Sequence, residues 1–332
     1  MKKNIIILLI SLLSSLFLYA NPCSNGASPQ MARFQSSLDS LESILKDSID
    51  GNRLNFQSLK KARVPLFYLE SLGRLYRDMP KGGKRIGKFF YDIKDLEDAI
   101  GAFDLRSSLL DEAISLKLSS SKVLELEAHL EETKKALAKL LKKRDWANGK
   151  RLEKIRRQLY KIKWPGSNED TLYLNSTIKE RVIKLQDKID SELAPLIRKK
   201  NYDYEALELG LHEFRRGIRW IALYLQAAKD VYALKDVAPS TLNEKDLAVY
   251  NAYHDNKYAQ LGNSKTSKVL IPQIPYLYLT KFIHLIGEIK DKGEKNYYLE
   301  KHNQEHGVER EALKLFEEFQ EIAPLLHLIN EL

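Results

Sequence analysis

Amphipathic helical periodicity runs through most of this chain and constrains its fold more than any other feature. Apolar residues recur every three or four positions, so each such segment would present one apolar face as a helix. The alternation of apolar and polar residues that is typical of a half-buried strand is absent from the sequence. The pattern therefore favours an all-α helical bundle in one domain. We predict helices over residues 31–48, 65–79, 84–101, 107–116, 121–145, 149–163, 172–200, 203–229, 274–296 and 308–331.

Proline and glycine separate these predicted helices. The breaks fall at residues 80–83, at 164–168, around Pro239 and at 271–275. Proline lacks the amide hydrogen that a helix interior needs, and glycine is favoured in turns, so both residues indicate helix ends. Residues 233–272 are polar enough to form a long connection.

The N-terminus has the order of residues that is typical of a secretory signal. Lys2 and Lys3 precede an apolar run from Ile5 to Leu18, and Ala20 is the last residue before the predicted cleavage point. The run is shorter than the roughly 20 apolar residues that a membrane-spanning helix needs, which disfavours the alternative of a retained anchor. We expect residues 1–20 to be removed, no stable transmembrane anchor to remain, and the mature chain 21–332 to be exported, in a bacterium to the periplasm.

The chain contains a single cysteine, Cys23. One cysteine cannot form an internal disulfide, so the exported fold must depend on its apolar core. Attachment of a lipid to Cys23 is disfavoured, because Pro22 stands directly before it where a lipoprotein site has a small residue.

The formal net charge of +9 is unevenly distributed. Thirteen lysines and arginines but only two acids lie between Lys134 and Lys163, in two amphipathic segments on either side of Asn148 and Gly149. We call residues 121–163 the basic arm. Such a concentration of charge is suited to contact with a polyanion, and the alternative is a solvated helix face.

A second basic feature is the segment LHEFRRGIRW at residues 211–220. On a helix, Arg215, Arg216 and Arg219 fall with His212 within about 100° of arc, and the apolar residues cluster on the neighbouring face. The segment therefore has one face for a core and another face for anions. An ordinary amphipathic helix with a solvated basic face is the alternative.

Two short motifs recur in the same order. DIKD at 92–95 returns as EIKD at 288–291, and QSLKKAR at 57–63 can be aligned with residues 212–219 if one gap is allowed. Two motifs in one order indicate two helical halves. We predict repeat one at about 31–101, a helical insertion at about 105–200, and repeat two at about 203–332.

These motifs resemble the conserved-histidine α-helical domain, CHAD. The resemblance depends on His212, Arg215 and Arg219 at the start of a helix, on EIKD in a later helix, and on a weaker copy upstream. It covers about 55–101 and 203–296. It implies two repeats of antiparallel helices around a basic central cavity, and binding of inorganic polyphosphate. The first half departs from the family pattern, because Gln57 stands where a histidine is expected and Lys60 stands for the first arginine.

The chemistry of the cations agrees with that resemblance. Polyphosphate carries about one negative charge per phosphate and has no rings to recognise, so binding needs converging cations, for which the planar arginine fork is well suited. The aspartates beside Lys94 and Lys290 would either hold basic side chains in position or be solvated. The candidate polyphosphate-binding residues are His212, Arg215, Arg216, Arg219, Lys60, Lys61, Arg63, Lys84, Lys88 and Lys281.

Enzymatic function has little support in the sequence. His302, Glu305 and His306 have the H-x-x-E-H order of inverted zinc proteases, but a polar loop is the favoured interpretation. We predict a non-catalytic protein without a cofactor or a metal. The alternative is an envelope structural or interaction protein whose basic arm binds an acidic partner or a phosphorylated lipid. Nucleic acid would satisfy the same cations, but export restricts that binding to conditions in vitro.

Overall fold

The computed structural model describes residues 28–50, 53–198, 206–299 and 305–332. Helices dominate these residues, which confirms the predicted all-α class. The predicted signal, Cys23 and His302 lie outside the described residues. Among the described helices, none is both long and apolar enough to cross a bilayer.

The first half of the chain forms a helical layer with one very long helix. Its elements are α1 (Pro29–Ser48), the antiparallel strands β1 (Ile49–Asp50) and β2 (Arg53–Leu54), α2 (Phe56–Leu59), α3 (Arg63–Tyr76) and α4 (Gly83–Ser115). The next segment, which includes the basic arm, contains α5 (Ser120–Lys143), α6 (Lys150–Tyr160), α7 (Ser167–Lys188), a π-helical turn (Ile189–Leu193) and α8 (Ala194–Ile197).

The remainder begins with a π-helical turn (Ala206–His212) that runs directly into the next helix. Its further elements are α9 (Glu213–Ala227), β3 (Tyr232–Lys235), α10 (Glu244–Tyr253), β4 (Val269–Pro272), α11 (Gln273–Tyr298), α12 (Glu305–Ile322) and α13 (Pro324–Glu331). Strands β3 and β4 pair in parallel, with Tyr232 opposite Val269.

Local capping chemistry explains several helix starts. Ser28 accepts a hydrogen bond from the backbone N–H of Met31, and Pro29 occupies the first turn of α1, where its missing amide hydrogen costs little. Gly82 and Gly149 adopt left-handed backbone conformations, with φ of 105° and 74°, directly before α4 and α6. That conformation costs other residues roughly 1–2 kcal/mol, so glycine fixes both breaks that the sequence indicated.

Three predicted details of secondary structure are wrong. The predicted gap between residues 101 and 107 does not exist, because no proline or glycine follows Gly101 there and α4 continues to Ser115. The predicted connection 233–272 contains α10, which the Asn243 side chain caps by accepting from the N–H of Asp246. Strands are also present, but they have only two or four residues, which is too short for alternation to be visible.

One apolar core extends from α1, α3, α4 and α7 to α9 and α11. In the first half Phe34 packs edge-on against Phe89, with ring centroids 6.3 Å apart. In the second half Phe214 packs edge-on against Phe316 and Phe319 at 5.2 and 4.9 Å. These contacts fix α1 against α4 in the first half and α9 against α12 in the second.

A buried polar network joins α1 to α3 and α7. Arg33 is 2.9 Å from Asp170, which also accepts a hydrogen bond of 2.9 Å from the hydroxyl of Tyr76. Arg33 makes a second ion pair, of 2.7 Å, with Asp230 after α9. The side chain of Asp170 is 1% exposed and that of Asp230 is 44% exposed, so only the first carboxylate depends on the network for all its solvation.

Candidate functional site

A cavity of about 680 Å³ lies between the two halves of the bundle. Helices α3 and α4 form one wall, α9 and α11 form the other, and the turn at Lys257 and Tyr258 contributes to the rim. The elements that carry the matched sequence motifs therefore meet at one place.

Five of the ten predicted site residues line this cavity: Arg63, His212, Arg215, Arg216 and Arg219. Four of them belong to the segment that the sequence singled out, and Arg63 comes from the weaker copy upstream. The two basic motifs are separated by about 150 residues in sequence and are brought together by the packing of α3 against α9.

The other five predicted residues, Lys60, Lys61, Lys84, Lys88 and Lys281, do not line the cavity. Lys60 is held by Asp104 at 3.1 Å, and Lys61 is exposed. Lys84 and Lys88 are exposed on α4, and the rise of a helix places Lys84 about 20 Å from the cavity residue Glu97.

Lys281 lies outside the cavity for a different geometric reason. It lies on α11, nine positions before the cavity residue Lys290, and nine positions correspond to about half a turn around the helix axis. Lys281 therefore faces away from the cavity and pairs with Glu318 at 2.8 Å.

Six carboxylates also line the cavity, and sequence reasoning about cations missed most of them. Each is paired with a basic side chain. The pairs are Glu70 with Arg74 at 2.7 Å, Glu97 with Arg63 at 3.2 Å, Asp98 with Lys94, Asp104 with Arg63 at 2.9 Å, Asp291 with Lys290 at 3.1 Å, and Glu294 with Lys290 at 2.7 Å. Burial is the main reason why the pKa of Glu97 lies above its usual range.

The aspartates of the two EIKD-like motifs hold basic side chains. Asp95 lies 3.4 Å from Arg144 of the basic arm, and Asp291 lies 3.1 Å from Lys290. Both motifs also place an ion pair four residues apart on the helix, Lys94 with Asp98 and Lys290 with Glu294. The acid of each pair lines the cavity.

Arg215, Arg219 and Lys257 differ from the other cations of the cavity. In the described part of the chain no carboxylate oxygen lies within 4.0 Å of their charged nitrogens. Arg215 donates from Nε to the backbone carbonyl of Ile283 at 3.1 Å. The Nε of Arg219 is buried without a hydrogen-bond partner among the described residues. Burial, and next the charge of Arg215, lower the pKa of the Arg219 guanidinium.

An aromatic ring positions two of these guanidinium groups. The Phe67 ring centroid lies 4.8 Å from Cζ of Arg219 and 5.4 Å from Cζ of Arg63. Such contacts are worth roughly 0.5–2 kcal/mol and leave the in-plane N–H groups free to bind anions. Phe67 therefore contacts arginines from both halves of the bundle.

Gly287 on α11 leaves the space that the guanidinium of Arg215 occupies. A Cβ atom added at Gly287 would lie 2.6 Å from Nε of Arg215, so the guanidinium rests directly on the backbone of α11. On the other wall Arg63 approaches Gly101 in a similar way, with Nη2 3.5 Å from an added Cβ. Only a residue without a side chain allows the closer of these approaches.

His212 lies among carboxylates. Its Nδ1 is 2.9 Å from Oε1 of Glu208 and 3.8 Å from Oε1 of Glu294. The hydrogen bond with His212 is the main reason why the pKa of Glu208 is lowered. We call Glu208, His212 and Glu294 the carboxylate–histidine cluster. Glu208 could have been found from the sequence, because it stands one helical turn before His212.

Comparison of the chain with protein-family models, curated proteins and solved structures gave no match. The geometry of the cavity is therefore the main basis for a functional proposal.

Proposed function

We propose that this protein is a non-catalytic binding protein for inorganic polyphosphate or a similar phosphate-rich polyanion, and that the cavity is its binding site. The observation that carries the proposal is the pair Arg215 and Arg219, two neighbouring guanidinium groups without a carboxylate partner in the described structure. A guanidinium can bind two phosphate oxygens at once through parallel N–H donors.

Electrostatics favours an anion between these groups. Two like charges in a partly buried site repel each other, and a buried donor without a partner costs roughly 1–3 kcal/mol. A phosphate that accepts from the guanidinium groups of both Arg215 and Arg219 would offset the repulsion between them. Lys257, at the rim, supplies a third cation for the next phosphate of a chain.

The resemblance to the CHAD family supports the same proposal. Both proposed repeats contribute to the cavity, the first through α3 and α4 and the second through α9 and α11. We accordingly propose that the chain is a CHAD-like domain with two pseudo-repeats. Each acid of the cavity already has a cationic partner. The positive charge that remains free to bind an anion is therefore concentrated at the unpaired arginines.

The size of the cavity favours polyphosphate over double-stranded nucleic acid. The major groove of a duplex is alone about 12 Å wide, so a duplex cannot enter a cavity of about 680 Å³. A single polyphosphate strand is narrow and offers only oxygens. In addition, the order of residues at the N-terminus supports export to the periplasm, where polyphosphate would be the physiological partner and nucleic acid would not.

The basic arm is the alternative binding surface. Part of its charge attaches it to the rest of the bundle, because Arg144 and Arg151 pair with Asp92 at 3.2 Å and Arg156 pairs with Glu42 at 2.7 Å. Lys122 and Lys134 pair with Glu125 and Glu131 of their own helix. The remaining cations are exposed, and solvent and salt screen such charges strongly. We therefore assign the arm a secondary part in polyphosphate binding.

Titration with polyphosphate at increasing salt tests the proposed function. Binding should be tight at about 50 mM salt, and the logarithm of the association constant should fall linearly with the logarithm of the salt concentration, because bound counterions are released. Calorimetry or fluorescence anisotropy would measure this slope. Absence of binding at about 50 mM salt would contradict the proposal.

Substitution of Gly287 by alanine should weaken polyphosphate binding by about tenfold. The new methyl group displaces the guanidinium of Arg215, and one charge-assisted hydrogen bond is worth roughly 1.5–3 kcal/mol. Gly87→Ala on α4 is the matched control, because an added Cβ there meets no atom within 4 Å. Both variants should be as stable as the parent or more stable, since alanine favours a helix by about 0.5–1 kcal/mol. Equal affinity of Gly287→Ala and Gly87→Ala would mean that Arg215 does not bind the polyanion from its observed position.

A further inference from the structure

The carboxylate–histidine cluster brings three potential metal ligands to one point. The atoms Nδ1 of His212, Oε1 of Glu208 and a carboxylate oxygen of Glu294 all lie within 4.8 Å of one another. Glu208 and His212 come from the π-helical turn before α9, and Glu294 comes from α11. Packing of two elements therefore assembles the cluster, and π-helical turns occur often at functional sites.

The two oxygens of Glu294 have different neighbours. Nζ of Lys290 lies 2.7 Å from Oε2, and His212 approaches Oε1. The Glu294 side chain is only 10% exposed, so Lys290 and His212 provide much of its solvation. Lys290 thus orients the carboxylate and leaves Oε1 available for a further cation.

The distances suit a small divalent ion. Zinc binds histidine nitrogen and carboxylate oxygen at about 2.0–2.2 Å, so a tetrahedral site separates neighbouring donor atoms by about 3.4 Å. The separations of 2.9 Å and 3.8 Å from Nδ1 of His212 lie on either side of that value. Small side-chain rotations would suffice, with loss of the proton that otherwise joins His212 to Glu208.

We propose that Glu208, His212 and Glu294 form a three-ligand site for a zinc-class divalent ion. The imidazole nitrogen favours zinc and neighbouring first-row metals over magnesium and calcium, which prefer oxygen ligands. His212 and Glu294 line the cavity, so the remaining coordination positions of the ion face it. The site lies in the same cavity as the proposed polyphosphate site, but it binds through carboxylates and an imidazole instead of guanidinium groups, and its ligand is a cation.

Titration of the chelator-treated protein with zinc alone tests this site. We expect one tightly bound ion per chain. We also expect His212→Ala and Glu294→Gln each to weaken zinc binding by about a hundredfold or more, because loss of a group that only supports a metal ligand already costs up to about a hundredfold. His284→Ala is the matched control, because among the described residues the one carboxylate within 4.0 Å of the His284 ring nitrogens on α11 is that of Glu288, at 3.5 Å. That variant should bind zinc like the parent.

Two further measurements make the assignment specific. Cobalt bound in place of zinc should give a visible absorption spectrum that His212→Ala abolishes. Lys290→Met should bind zinc more tightly, because the removal of a positive charge 2.7 Å from a ligand carboxylate outweighs the loss of the contact that orients it. Neither measurement uses polyphosphate, so failure of the metal site and failure of the proposed function are distinguishable.

Three outcomes would overturn the metal site. Absence of stoichiometric binding at about 0.1 mM zinc would mean that His212 only makes a hydrogen bond with Glu208 and holds no metal. Equal zinc affinity of the parent, His212→Ala and Glu294→Gln would place the ion elsewhere. Zinc that is lost in His302→Ala but kept in His212→Ala would assign it to the H-x-x-E-H segment.

Discussion

The double substitution of Arg215 and Arg219 by alanine is expected to weaken polyphosphate binding by a hundredfold or more. Each arginine would offer charge-assisted hydrogen bonds worth roughly 1.5–3 kcal/mol, and neither gives up a carboxylate partner in the described structure when it binds the ligand. The loss is therefore close to the full value of both contacts. Isothermal titration at physiological salt measures it, and circular dichroism verifies that the variant is folded.

The basic arm provides the control for this experiment. Lys142, Lys143, Lys154 and Arg157 are exposed and have no carboxylate within 4.0 Å in the part of the chain that the structure describes. Changing all four to glutamine removes twice the charge but only screened attraction, so we expect about a tenfold loss. A larger loss in the arm variant than in the arginine variant would place the binding site on the arm.

Replacement of Asp170 by alanine is expected to lower the free energy of unfolding by about 3–5 kcal/mol. Asp170 is buried and accepts hydrogen bonds from Arg33 and Tyr76, so its removal leaves a buried guanidinium with a single carboxylate partner, the half-exposed Asp230. Urea unfolding followed by circular dichroism measures the change. The effect should be the largest of any single substitution considered for this protein.

Asp230→Ala is the matched control for this stability prediction. It removes the other carboxylate of the same arginine, but at a site that is 44% exposed, where an ion pair is worth about 0–1 kcal/mol. Similar losses for both variants would mean that burial does not determine the strength of the network.

Helical periodicity predicted the fold class, and half of the ten residues that the sequence singled out line the cavity. Arg215 and Arg219 were identifiable because both their spacing and the apolar face beside them are local properties of one helix. Arg63 was identifiable only through the repeat. Glu208 could also be identified from the sequence, since it stands one helical turn before His212, but it is an acid and the sequence analysis considered only cations.

The remaining features depend on packing between distant segments. Nothing local in the sequence shows that Gly287 lies under Arg215, that Phe67 lies beside Arg219, or that Asp170 meets Arg33. Lys281 lies outside the cavity because its side of α11 packs against α12, which supplies its partner Glu318. The composition likewise did not predict that six carboxylates would line the cavity.

The most direct test of the central proposal is a crystal structure of the protein grown with a polyphosphate chain. The account predicts ordered phosphates in the cavity, with oxygens at about 3 Å from the guanidinium groups of Arg215 and Arg219. Ordered phosphate on the basic arm alone, with only solvent between these two arginines, would contradict it.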